Sequence, residues 1–200
     1  MSTAPAPAPE TTVAPAPKRS KFKTILLTLV ALVAALVGVV LAVASTKPAK
    51  FRVERSIVVK APPEKITPHL NDLKKWTTWS PWEKIDPDMK REYSGAESGV
   101  GAKYAWDGNS SIGAGRIEIK ESSSNYVAFS LEFLRPMECK NAADFTLEAD
   151  PNGTKLIWAM YGDNTYMGKV MQVFLSMDDM CGPQFDEGLT NLKNLAEKSN

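Results

Sequence analysis

Ile25 to Ala44 is a run of twenty residues without a charge, in which Thr28 is the only polar side chain. At about 1.5 Å rise per residue, a helix of that length spans about 30 Å, the thickness of a bilayer's hydrocarbon core. A helix lying on a water-soluble domain would show polar positions every third or fourth residue, and no such spacing appears. The segment reads as a transmembrane helix acting as a signal anchor, or as a cleaved signal peptide. Ala42-Val43-Ala44 before Ser45 has the small-x-small form of a signal-peptidase site. The run is longer than the usual signal core of about 7–15 residues, which favours a retained anchor. Charge does not settle its orientation: Lys18, Arg19, Lys21 and Lys23 precede it, while Lys47, Lys50, Arg52, Arg55 and Lys60 follow. A basic tail kept in the cytoplasm, with the following domain exported, is the default for an N-terminal anchor.

Residues 1–24 form an Ala/Pro-rich basic tail, and repeated Ala-Pro favours extended polyproline II, so disorder is expected there. Residues 1–50 hold six basic groups against Glu10 alone, whereas residues 51–200 hold 18 basic and 22 acidic groups. A net charge of +1 for the whole chain gives no reason to expect a nucleic-acid partner. Two cysteines and one histidine exclude a zinc finger, a His-rich metal centre and a disulfide-dense scaffold. No metal or cofactor is implied.

After a linker at residues 45–50, the pattern turns to strands. Phe51, Val53, Ile57 and Val59 share one face, interrupted by Arg55. Ala61-Pro62-Pro63-Glu64 ends this strand and opens a helical stretch over residues 63–76, with Ile66, Leu70 and Leu73 at helical spacing. Residues 88–161 read as an antiparallel meander. Tyr104 and Trp106 precede the turn Asp107-Gly108-Asn109, and Ile117 and Ile119 follow it. Val127, Phe129, Leu131 and Phe133 then alternate with small or polar residues, as do Phe145 and Leu147. Asn152-Gly153 turns the chain into a last strand with Leu156, Trp158 and Met160. One apolar face per strand implies a sheet solvated on one side and covered on the other. Phe185, Leu189, Leu192 and Ala196 form the helical stripe that covers it. Gly182-Pro183 reads as the break before this helix, and MGKVMQVFLSMDDM upstream as a short helix or lid. The order predicts an α+β domain, a curved antiparallel sheet of about six to seven strands wrapped on a long C-terminal helix.

That order is carried by RSIVVKAPPEKI (55–66), NDLKKWTTWSPWEK (71–84), YSGAESGVGAKYAWDGN (93–109), GAGRIEI (113–119), FLRP (133–136), FTLE (145–148), NGTKLIWAMYG (152–162) and MGKVM (167–171). It resembles the polyketide cyclase/dehydrase and START-related lipid-transport (SRPBCC) superfamily, in particular its membrane-tethered or exported bacterial members. The resemblance covers residues 51–198. It implies a helix-grip fold enclosing a hydrophobic cavity, with an apolar small molecule or lipid as partner. For a bacterial member with this anchor, it implies a single pass through the inner membrane and a periplasmic C-terminal domain. The motifs speak for fold rather than chemistry, because members bind lipids, sterols or polyketides and a minority catalyse cyclisation or dehydration.

The residues themselves offer little catalytic machinery. His69 has no second histidine to form a metal pair, and reads as a surface or helix-packing residue. Cys139 and Cys181 lie in no Cys-x-x-Cys and read as partly buried free thiols, although an exported domain would permit a bridge. Asp178-Asp179 reads as solvated charge, and Glu132 and Asp144 fall on outward-facing strand positions. No internal carboxylate of the kind a cyclase or dehydratase needs can be named. Gly99, Gly101, Gly113 and Gly115 belong to turns and strand edges rather than a phosphate loop.

The aromatic set is more informative. Trp76, Trp79 and Trp82 recur every third residue around a Ser-Pro break, and Tyr104 and Phe145 join the aromatic residues on inward strand faces. A helix laid across a curved sheet leaves space unless bulky side chains fill it. The expected ligand-lining residues are Trp106, Phe129, Leu131, Phe133, Trp158, Met160, Phe174, Phe185 and Leu189. Met167, Met171, Met177 and Met180 would suit an adaptable entrance. Three functions remain open on these grounds: a membrane-tethered carrier of an apolar molecule, which is preferred, an acid/base cyclase or dehydratase, and an interaction module with a filled core. Protein partners are not legible.

Overall fold

The computed structural model describes residues 21–198. The tail expected to be disordered therefore lies outside the described residues up to residue 20. The chain divides into two compact units after Leu41.

Helix α1 (Lys21–Thr46) has 26 residues, begins four residues before the apolar run and continues past Leu41, where the first unit ends. It is long and apolar enough to cross a membrane. At its C-terminal end, the Ser45 and Thr46 hydroxyls donate back to the carbonyls of Ala42 and Val43, each at 2.7 Å. These bonds occupy carbonyls that a helix end leaves without partners, and they carry the helix two residues into the expected linker.

The second unit is built on one seven-stranded antiparallel sheet, in the order β1-β7-β6-β5-β4-β3-β2. Its strands are β1 (Lys50–Val59), β2 (Lys90–Gly95), β3 (Ala102–Asp107), β4 (Ala114–Ser122), β5 (Tyr126–Arg135), β6 (Cys139–Asp150) and β7 (Gly153–Asp163). From β2 to β7 the sheet is a plain meander. The first strand then closes against the last, from Lys50 opposite Asp163 to Val59 opposite Thr154. Register shifts at Ala114/Gly115 and Ile119/Glu121 interrupt the β4–β5 ladder, and irregularities of this kind bend a sheet. Helix α2 (Pro63–Asn71) and two 3₁₀ turns, Leu73–Thr78 and Pro81–Lys84, fill the connection from β1 to β2. Three residues per 3₁₀ turn explain the threefold Trp spacing, since residues three apart stack on one side. The indoles of Trp76 and Trp79 donate to the carbonyls of Leu70 and His69 at 3.1 and 3.2 Å, which ties both rings to the end of α2.

Helix α3 (Tyr166–Met171) follows β7, and helix α4 (Met177–Lys198) closes the fold. Phe185, Leu189, Leu192 and Ala196 are all buried, as their spacing requires. Each of the three larger side chains contributes roughly 1.5–3 kcal/mol by leaving water. The helix starts earlier than Gly182-Pro183 suggests, and Pro183 lies inside it. The reason is local. Ser176 and Asp179 form a reciprocal cap, with the Ser176 amide and hydroxyl donating to the Asp179 carboxylate and the Asp179 amide donating to Ser176 Oγ. Arg55 then grips the new first turn through two bonds to Asp178, at 2.7 and 2.8 Å, and one to Asp186 at 3.3 Å. Gly182 makes room for it, because a Cβ there would lie 2.2 Å from the guanidinium. Proline at this interior position removes one intrahelical bond and crowds the carbonyl of Asp179, and these contacts offset that loss. Arg55, which interrupts an apolar face in sequence, is thus the clamp between β1 and α4, and Asp178 is an ion-pair partner rather than free charge.

Candidate functional site

The inner face of the sheet carries its apolar residues in cross-strand rows. In one row Val127, Phe145 and Trp158 stand opposite one another on β5, β6 and β7, and Arg55 continues it on β1. Trp158 is sandwiched there. Its ring stacks on Phe185 of α4 with centroids 4.1 Å apart and planes 8° apart, and it meets Phe145 at 4.9 Å and Trp82 at 5.6 Å. Gly188 permits the approach, since a Cβ would come within 2.8 Å of the Trp158 ring. In the adjacent row the central residue is small: Ala143 stands between Phe129 and Met160. Space therefore opens beside Trp158 that no side chain among the described residues fills.

The result is a hollow of about 120 Å³ between the sheet, α4 and the 3₁₀ turns. Among the residues expected to line a cavity, Trp106, Phe129, Leu131, Phe133, Trp158, Met160 and Phe185 stand on its wall. Leu189 is buried at 1% exposure, packed in the core away from the hollow. Phe174 is 74% exposed, on the turn between α3 and α4. It belongs with Tyr166, Met167, Met171, Leu175 and Met180, a group of exposed apolar side chains on that segment. Helix α3 is too short to bury a full stripe, which leaves Phe174 outside.

Several wall residues escape a reading of strand alternation, namely Trp76, Ser80, Trp82, Met89, Ile112, Cys181 and above all Glu83, which meets Tyr104 on the inward face of β3. Glu83 is buried at 8% exposure. The Tyr104 hydroxyl donates to one of its oxygens at 2.7 Å, and Arg91 Nε donates to the other at 2.7 Å. Arg91 is held in turn by bonds to the carbonyls of Pro87 and Met89. Burial, reinforced by the bond to Glu83, pushes the Tyr104 phenol far above its ordinary range, so it stays a protonated donor. The Tyr93 ring stacks on Tyr104 with centroids 5.0 Å apart. Ser80-Pro81-Trp82-Glu83 has the Ser-x-x-Glu spacing of a capping box, yet the Ser80 side chain makes no cap bond and Glu83 turns inward.

The remaining candidates lie elsewhere. His69 is half-buried on α2 with its Nδ1 unpartnered, and burial, then Lys75, hold its imidazole below the ordinary value. Cys139 and Cys181 are free thiols, and burial raises both. Glu132 faces outward to Arg116 and Lys140. Asp144 is buried at 7% exposure on the other face of β6 from Ala143, with burial raising its carboxyl.

A curved antiparallel sheet gripping a long C-terminal helix over an apolar hollow defines the helix-grip class of α+β proteins. A family model described as polyketide cyclase/dehydrase and lipid transport matches residues 50–197, and the chain belongs to that family. No curated protein sequence matches it. Solved structures share the fold at low identity. A protein from Chromobacterium violaceum is 17% identical with a TM-score of 0.51, and the match covers 75% of this chain and 99% of that one. A protein from Mesorhizobium loti is 18% identical with a TM-score of 0.52, over 75% and 99% of the two chains. The di-domain ARO/CYC StfQ from the steffimycin biosynthetic pathway is 10% identical with a TM-score of 0.55, over 76% of this chain and 52% of that protein.

Proposed function

We propose that this chain is a membrane-tethered binding protein that holds a small apolar molecule, a lipid or polyketide-like compound, between its sheet and α4. The observation that carries the reading is the hollow beside Trp158, walled by aromatic and aliphatic side chains at the place where small residues leave the sheet unfilled. Sites of this kind, apolar with a few placed polar groups, are typical of small-molecule binding. Family membership supports a ligand-binding or cyclase-like role. The apolar helix α1 supports a tether, with residues 25–44 as its membrane-spanning part, and the default orientation of an N-terminal anchor puts the following domain outside the cytoplasm. The exposed apolar group around Phe174 suits a surface that works close to lipid.

A second reading, acid/base catalysis of cyclisation or dehydration, now has a residue to rest on in Glu83, with Tyr104 beside it. Both carboxylate oxygens already accept hydrogen bonds, from Tyr104 and Arg91, and among the described residues no second carboxylate or imidazole stands beside Glu83 on the wall of the hollow. Binding needs no proton transfer and is preferred.

The test is native mass spectrometry of the full chain released from membranes in mild detergent. A single apolar compound retained by the wild type, and lost from Trp158→Ala, is the expected result. A wild-type chain that repeatedly emerges empty would contradict the reading.

A further inference from the structure

We propose that the polar end of the hollow, Glu83 with Tyr104 and Ser80, recognises a hydroxyl group on an otherwise apolar ligand and excludes one ending in carboxylate or phosphate. The inference deepens the binding reading and rests on it. The Tyr104 hydroxyl and the Nε and Nη1 donors of Arg91 are already committed. Tyr104 gives its O–H to Glu83, and Arg91 gives Nε–H to Glu83 and Nη1 to two backbone carbonyls. What remains toward the hollow is acceptor capacity, since a carboxylate has about four lone-pair sites and two of Glu83's are used. The phenol oxygen of Tyr104 keeps a lone pair as well, and the Ser80 hydroxyl rotates to either role.

An acceptor-only anion placed there would face lone pairs and a buried like charge, with only the neutral Ser80 hydroxyl able to turn a donor toward it. A hydroxyl supplies the missing proton. Arg91 compensates the charge of Glu83 at 2.7 Å, so the pair as a whole gives no strong pull on an ammonium group. The rest of the wall, from Trp106 to Phe133, offers only apolar contact to the body of such a ligand.

The experiment uses the full-length chain in lipid nanodiscs. It is titrated with 1-hexanol, n-hexane and hexanoate at matched free concentration, with indole fluorescence as the readout and empty nanodiscs as the blank. A six-carbon probe suits a hollow of about 120 Å³, given that a cavity of roughly 150 Å³ accepts benzene. The expected result is that 1-hexanol binds about tenfold or more tightly than either of the others, as one added hydrogen bond to a charged acceptor predicts. Glu83→Gln should reduce that preference severalfold, while Tyr104→Phe, which frees a Glu83 lone pair, should keep it. The wild-type ratio decides the question even if a variant fails to fold. Equal binding of the three probes, or tighter binding of hexanoate, overturns the hydroxyl inference and leaves the binding reading intact. Binding of none overturns both.

Discussion

Ala143→Leu distinguishes a real hollow from a packed interior by the sign of its effect. Ala143 is 1% exposed, faces inward between Phe129 and Met160, and stands on the wall of the hollow. Leucine adds three carbons. If they enter empty apolar space, the transfer gain has an upper limit of about 2.4 kcal/mol, from about 0.8 kcal/mol per buried CH₂. Imperfect fit to the aromatic walls reduces this to about 1–2 kcal/mol. For a domain of this size, that corresponds to a rise in Tm of about 3–6 °C. The same side chain would occupy the ligand's place, so retention of an apolar molecule should disappear as stability rises. The assay is near-UV circular dichroism of the tryptophan cluster during thermal unfolding of the full chain in nanodiscs, paired with ligand retention on the same samples. A loss of about 1–3 kcal/mol, the ordinary penalty of overpacking, would refute the existence of usable space beside Trp158.

Other perturbations read separate parts of the structure. Trp158→Ala removes the ring stacked on Phe185 and should cost about 3–5 kcal/mol together with ligand retention, measured by denaturant unfolding. Ser176→Ala breaks the reciprocal cap of α4 and should cost about 1 kcal/mol, visible in the same experiment. Arg55→Met releases the first turn of α4, and amide hydrogen exchange should quicken over residues 177–184 while the β4–β5 ladder is unchanged. His69 gives a pH signature. Its folded imidazole titrates below the unfolded one, so the unfolded chain binds more protons as pH falls through about 6.5. Stability should therefore be complete above that pH and decline below it, until the folded imidazole also protonates. His69→Gln should flatten this part of the profile, and an unchanged slope in the variant would remove His69 as its cause.

The strands were legible because period-two alternation survives wherever one face is buried. Phe129, Phe145 and Trp158 fall inward for that reason alone. The hollow was not legible in the same way. It depends on Ala143 standing opposite both Phe129 and Met160, and cross-strand register is set by turns and bulges rather than by any one strand's pattern. Glu83 lies in the connection from β1 to β2, where no strand alternation marks a side chain as inward. The start of α4 was misplaced because Gly182-Pro183 resembles a helix break, while the contact that overrides it joins Arg55 to Asp178, far apart in sequence. Phe174 looked like a lining residue by hydrophobicity, but α3 ends before it and leaves its ring in the open.

Photolabelling gives the most direct test of the account. A short alkane carrying a diazirine is equilibrated with the full chain in nanodiscs, irradiated, and traced by peptide mass spectrometry. Label on Met160 and Trp158 of β7 and on Phe185 of α4, reduced by Ala143→Leu, is the predicted outcome. Label confined to α1 and to the exposed side chains around Phe174 would contradict it.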